Sequence, residues 1–447
     1  MRSTKNKRCK AICAILKSTW KKTLIHKYEV IAFLFLLTAF IFLRSYQLET
    51  RMSFSFDQVN GAWAAKDALI DHHWPLTGPV AKQNSGFYMA PIYYYILIPF
   101  YFVFNLHPIA SGVTAVFISC LTFLTIFLAV KNLFNTPIAF IAAYIDLTSV
   151  YIINSDKVEW NAGITVITSM LIFFFLYKVL TGGVKMIIPL FLTLGFSLSG
   201  DFTNIFYFLI VLISLPFFPR KKMTLLYLLL GVIIVILMIS PVIVYEIMHS
   251  KSESGNLLSY LGTYYHGFHL TRFLQLRRDA FIEFVMIFGN DIVSYFDFLL
   301  PLVFIFFYYR QYRDKGAIIL SSLVVLWFFI PWLVFTAYSG EITNYYFYMT
   351  RPVILIILAY LTYRLISLHS YKVIITLLVI IFWGYFSFTN LVSFFQENPG
   401  NDFYNAKRII TPEVQARNTG VRHIYSTPEA YLQFYYEDYK HFNMNND

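Results

Sequence analysis

Charge is scarce in this 447-residue chain: Asp, Glu, Lys and Arg together make up 13% of it, where a soluble domain carries about 25%. Acid is scarcer than base, with 24 Asp and Glu against 35 Lys and Arg. Cysteine is nearly absent. Cys9, Cys13 and Cys120 supply neither a disulfide framework nor a zinc spacing. There is no repeat, no low-complexity stretch and no inverted pair of halves of the kind many transporters show. What is abundant is apolar: 58% of the residues, with 47 Phe and 34 Tyr and a mean hydropathy of +0.60. Disorder and a disulfide-stapled domain are excluded, and a soluble globule could not hide that much apolar surface. The sequence is that of a polytopic membrane protein. Its net charge of +11 then reads as an orientation signal and not as a nucleic-acid footprint, so no nucleic-acid partner is expected.

The first 27 residues hold nine Lys and Arg, and a long apolar run follows without a small-residue cleavage site. Residues 1–28 are therefore expected as a cytoplasmic basic tail before a retained first span. A span needs about 20 apolar residues. Candidates lie at 29–46, 108–130, 137–153, 162–180, 186–200, 202–218, 223–245, 295–309, 316–337, 352–366 and 373–392, giving about eleven. The segment 92–105 is too short to span and carries Pro99, so we place it at the outer interface. The short basic loops around Lys131, Lys178 and Lys185, Arg220 to Lys222, Arg310 to Lys315, and Arg364 to Lys372 then all fall inside. The outer side receives residues 47–107, residues 246–294 and a polar tail over 393–447. The expected protein is an all-α multi-pass protein of the plasma membrane, with juxtamembrane helices outside and the N-terminus in the cytoplasm.

On this topology the few acids become informative. Asp57 opens a helical pattern in Val59, Ala62, Trp63, Leu69 and Ile70, read as an amphipathic helix on the membrane surface with Asp57 as a candidate N-cap. A second acidic site, Asp156 and Glu159 with Lys157 between them, returns to the same face after the third span. Paired carboxylates support acid/base chemistry or hold a divalent cation. Asp146, inside a span, is expected to face the bundle. Asp201 and Asp297, at span ends, are expected to face a cavity. Arg272, Arg277 and Arg278 suit either lipid headgroups or a solvated face, and His72-His73 read as surface residues.

The order of these pieces resembles the GT-C membrane glycosyltransferases, in particular the protein O-mannosyltransferase and lipid A aminoarabinose transferase group. The resemblance rests on Asp57 after the first span, on Pro91-Ile92-Tyr93-Tyr94-Tyr95, on Lys131-Asn132-Leu133-Phe134, and on Glu159-Trp160-Asn161. Further along it rests on Pro241 to Glu246 with His249, and on Gly340-Glu341 with Tyr345-Tyr346. It covers roughly residues 30–366, within a membrane domain over 29–392. It implies inverting transfer of a sugar from a polyprenyl-phosphate donor to an acceptor outside the membrane, the acceptor being a protein, a glycolipid or a wall polymer. Asp57 takes the base's place, with Glu159 or Asp156 as the second acid. Lys82 and Arg351 are the candidates for the lipid phosphate. Tyr93, Tyr94, Trp160, Asn161, Glu246, His249, Tyr345 and Tyr346 complete the expected substrate-binding set. No metal ligand is assigned, although a divalent cation is compatible with the acids. The chain departs from its relatives at Gln58, where they often have Glu, and at Met89-Ala90, where they often have Lys or His. Two other classes compete: a transporter or lipid flippase, and a polysaccharide polymerase or ligase using His249, His266, His269 and the arginines of the 246–294 region.

Overall fold

The computed structural model describes residues 27–82, 85–249, 252–367 and 372–397. Cys9, Cys13, most of the basic tail and the tail beyond residue 397 lie outside the described residues. The described chain is α-helical. Seven helices are long and apolar enough to cross a membrane: Lys27–Ser45, Ile109–Leu133, Asn161–Leu180, Lys222–Met248, Lys315–Thr336, Asn344–Ile366 and Lys372–Gln396. The remaining expected spans are helical but shorter: Thr136–Thr148 continuing into Val150–Ser155, Val184–Ser197, Phe202–Phe217 and Leu299–Tyr312. The core is built from Phe123, Ile145, Phe173, Trp327 and Ile356 and their neighbours. The long helix Lys222–Met248 instead keeps Leu225, Leu229, Ile233 and Leu237 exposed, as a face turned to lipid requires.

Irregular backbone inside a bilayer is tolerated only where other groups satisfy it, and each break here is satisfied locally. The third expected span bends at Ser149, and the amide that the bend frees, that of Val150, donates to Asn390 Oδ1 at 2.8 Å. Pro241 cannot donate to the carbonyl one turn back; Ser240 Oγ donates to that carbonyl, on Leu237, at 2.7 Å. The hairpin between Val184–Ser197 and Phe202–Phe217 turns at Gly200. A Cβ there would stand 2.5 Å from the Asn204 amide, which itself donates to Ser197 O at 2.8 Å.

One end of the bundle brings together described residues of the regions 47–107 and 246–294 expected outside, as where Asn256 Nδ2 donates to Gly86 O at 2.5 Å. Tyr93, at the start of Ile92–Val103, and Ser111, just past its end, both bond the carboxylate of Glu159. The short segment thus returns to the end it left, as a helix of about 18 Å that does not cross must do. Ile109–Leu133 then carries the chain about 30 Å from Ser111 to Lys131, which pairs with Glu29 at 3.4 Å at the far end. Cysteines introduced singly at His73 and Arg313, both exposed, in a chain freed of its own three, are expected to react from opposite sides of the membrane. Labelling of both from one side would refute this threading.

Candidate active site

The helix Phe56–Leu69 carries Asp57 in its first turn, but Asp57 is not its cap. Ser55 is, and Gln58 Oε1 accepts from the Ser55 backbone N–H at 2.9 Å. Nor does this helix lie on the membrane surface with one face free. Val59, Ala62, Trp63, Ala65 and Ala68 are all buried, against Tyr93, Leu97 and Tyr101 of the following helix. The reason is visible in the residues: four alanines and Gly61 let the two helices close together. A Cβ on Gly61 would meet Leu97 at 2.7 Å and the Glu159 carboxylate at 3.6 Å. Because Ser55 and Gln58 do the capping, the Asp57 carboxylate is left exposed. The protein mass around it still pushes its pKa up from the ordinary value by desolvation.

Glu159 is the opposite case, with 1% of its surface exposed. Tyr93 Oη donates to one carboxyl oxygen, Ser111 Oγ to the other at 3.2 Å, and Gln58 Nε2 to the Glu159 carbonyl. Burial pushes its pKa up to about 8; the two hydroxyls pull down and the charge of Asp57 pushes further up. Two neighbouring carboxyls with different exposure are thereby set to different protonation states at neutral pH. Each Glu159 oxygen accepts a hydrogen bond, and a Cβ at Gly61 would stand 3.6 Å from one of them. No cluster of three or more His, Cys, Asp or Glu suited to a metal occurs among the described residues.

Asp156 is committed elsewhere. It pairs not with Lys157 but with Arg44, at 3.0 Å. The same guanidinium donates to the carbonyls of Asp146 and Leu147 at 2.8 and 3.0 Å, and the Asp146 side chain is buried in the bundle. Lys157 is buried with its Nζ 4.3 Å from the ring centroid of Phe394. Arg351, expected at an open span mouth, is 2% exposed. It bonds Glu283 at 2.6 Å and Tyr151 and Ser155 at 3.1 Å, beneath the ring of Tyr348. A phosphate would have to displace Glu283 to reach it. Arg277 and Arg278 likewise pair with Asp297 and Asp291. Asp297 thus meets a cation and not a cavity.

Lys82 stands apart. It lies on a strap held by paired backbone bonds, Ala81 N–H to Phe87 O and Met89 N–H to Pro79 O, both 2.9 Å. Its Nζ donates to Tyr338 Oη at 2.6 Å and Glu341 O at 2.8 Å, with Tyr346 5.5 Å away. Among the described residues it has no carboxylate within ion-pair distance. Asp201, on the hairpin tip nearby, is pushed up to about 6 by burial, against the pull of Thr203 and Lys82. Below the strap lies an apolar groove of about 440 Å³. It runs between Met89-Ala90, Leu198, Ile205 and the Ile239–Ile247 stretch of the long helix. Ile243 and Ile247 are exposed at its side.

Of the expected site residues, Asp57, Glu159 and Tyr93 come together, with Tyr94 buried beside Tyr93. Trp160 packs on Tyr345 at 5.0 Å. Asn161 Nδ2 donates to Gly200 O at 2.8 Å, tying the acidic loop to the hairpin tip. Glu246 lines the groove and accepts from Ser254. His249 stacks on its own Tyr245 at 3.9 Å. Sequence reasoning missed Gln58, Ser111 and Glu283 as contacts. Glu283 carried a signal, as the lone acid in the apolar helix Ile282–Phe288; Ser111 carried none.

In the pH range where the fold holds Glu159 protonated, that proton contributes stability, which is lost as pH rises through about 8. Glu159→Gln keeps the shape without the titration. It is therefore expected to flatten the fall in thermal stability between pH 5 and 8, by up to about 1.4 kcal/mol per pH unit. Parallel stability curves for the two proteins would show that Glu159 is ionised.

No protein-family model and no curated protein matches the sequence. Solved structures do match. ArnT from Cupriavidus metallidurans bound to undecaprenyl phosphate superposes with a TM-score of 0.53 at 11% identity, over 86% of this chain and 72% of that one. Its apo form gives 0.53 at 13% identity, over 76% and 60%. The archaeal oligosaccharyltransferase AglB from Archaeoglobus fulgidus, in complex with an inhibitory peptide and a dolichol-phosphate, gives 0.52 at 13% identity, over 90% and 60%. This chain thus spans under two thirds of the latter two. Together with the ordered motifs, these superpositions establish that the chain has the fold of the GT-C membrane glycosyltransferases.

Proposed function

We propose that this protein transfers a sugar, with inversion, from a polyprenyl-phosphate donor to an acceptor hydroxyl at the outer face of the cell membrane. One observation carries the reading. An accessible carboxylate, Asp57, and a lysine without a counter-carboxylate, Lys82, sit at one end of the bundle above an apolar groove open at its side. Two of the structural neighbours hold polyprenyl phosphates of the undecaprenyl and dolichol types, which supports a lipid donor here. The acceptor oxygen attacks the anomeric carbon while Asp57 takes its proton. The bond from that carbon to the phosphate oxygen breaks on the opposite face, and the polyprenyl phosphate leaves with the extra negative charge. Lys82 and the Tyr338 hydroxyl it bonds offset that charge, while the groove holds the first isoprene units. Glu159, held protonated, acts through Gln58 and Gly61 to fix the helix that aims Asp57.

Asp57→Asn is expected to lower transfer by about 10²–10⁴-fold in a protein that still folds and inserts. The acid limb of the wild-type rate profile should lie above the ordinary Asp range, because burial raises Asp57, and should be missing from the variant. Cells lacking the protein should accumulate the donor, read by mass spectrometry of lipid-linked sugars. Unimpaired transfer by Asp57→Asn, or lipid translocation in sealed vesicles without any glycoside product, would overturn the reading.

A further inference from the structure

Beside the acidic loop is a second hollow that the donor does not explain. It is open, with a volume of about 420 Å³, in the range of about 300–1,000 Å³ typical of small-molecule sites. Its walls are Tyr151, Trp160, Tyr345 and Tyr348, with Thr343 and Asn344 at the rim. We infer that this hollow is the acceptor subsite and that it takes a neutral saccharide ring; the inference rests on the transferase reading above.

Three features point to that ligand chemistry. The rings meet edge to face: Trp160 and Tyr345 at 5.0 Å and 60°, Trp160 and Tyr348 at 5.9 Å and 75°, Tyr345 and Tyr348 at 6.5 Å and 72°. Trp160 and Tyr345 remain half-buried and line the hollow, which leaves apolar ring surface for the C–H face of a sugar. The hollow is also electrically neutral. Arg351 and Glu283, which touch the wall residue Tyr151, are bonded to each other at 2.6 Å, and no wall residue is ionic. A charged acceptor would find no partner here. Finally, the walls carry polar groups: Trp160 Nε1 has no hydrogen-bond partner among the described residues, and the Asn344 side chain is exposed. Such atoms suit a rim of hydroxyls and have no use in a lipid site.

Position agrees with the role. Trp160 directly follows Glu159 in the chain, and Tyr345 lies close enough to Asp57 to feel its charge.

The test is saturation-transfer NMR on the full-length protein in detergent. The probes are the methyl glycosides of glucose, mannose and N-acetylglucosamine, with a serine-rich peptide as the competing chemistry. At least one glycoside should receive saturation through its ring protons. Binding should weaken fivefold or more in Tyr345→Ala and in Asn344→Ala, whose side chain is exposed, recover in Tyr345→Phe, and be unaffected by Lys82→Gln. The inference is overturned if no glycoside binds, if Tyr345→Ala and Asn344→Ala both bind as the wild type does, or if the peptide displaces the glycoside. Glycoside binding with this pattern in a protein that never consumes lipid-linked sugar would sink the transferase reading while leaving the saccharide site standing. Donor hydrolysis without glycoside binding would sink only the saccharide site.

Discussion

The end of the bundle that holds Asp57 is organised around a carboxyl group that is 1% exposed. Glu159 receives hydroxyls from two different helices, through Tyr93 and Ser111, and its carbonyl holds a third, through Gln58. A buried carboxyl without such partners is among the costliest groups a fold can hold. The arrangement is therefore stable only when all the helices are in place. That dependence makes Glu159 a junction: the helix that bears Asp57 has one seat, set by Gly61 against the carboxylate and Leu97. A larger residue at position 61 would push the helix off that seat and move Asp57 with it.

The same logic sorts the other charges. Arg44 with Asp156, Arg351 with Glu283, and Arg277 with Asp297 are closed pairs. Buried pairs of this kind are weak evidence for net stability, yet removing one partner is strongly destabilising. They tie the acidic loop to the first helix, the short helix Ile282–Phe288 to the helix that begins at Arg351, and the outer arginines to the loop before Leu299. Once these are set aside, few charges at this end remain open to a ligand. Asp57 is exposed, and among the described residues Lys82 bonds neutral oxygens. The proposed chemistry uses the charges that the architecture leaves over.

The helices were legible because a membrane imposes length and hydropathy, and every expected span lies on a helix. The gathering of Asp57 and Glu159 at one end was legible too, since counting crossings fixes sidedness. Pairing was not. Nothing local distinguishes Asp156 from Glu159 as the free acid, because the choice depends on Arg44, which is over a hundred residues away. Arg351 looked open because it precedes Pro352 at a span mouth, while the acid that closes it sits in a different outer region. The reading of Phe56–Leu69 as a surface helix failed for a related reason. Its small residues satisfy an amphipathic pattern, but their function is close approach, and only the partner helix reveals that.

On the proposed reading, two cavities with different linings serve one reacting centre. The groove under the strap is apolar and opens sideways, where exposed Ile243 and Ile247 meet the lipid face. The hollow by Trp160 is aromatic and neutral. An inverting displacement needs donor and acceptor on opposite sides of one carbon, so a single continuous pocket would serve it poorly. On that reading Lys82, 5.5 Å from the Tyr346 ring, serves the donor, while Tyr345, packed on Tyr346 at 4.7 Å, lines the hollow proposed for the acceptor. The 3₁₀ turn Asn344–Thr350 carries both tyrosines and would then set the line along which the two substrates approach.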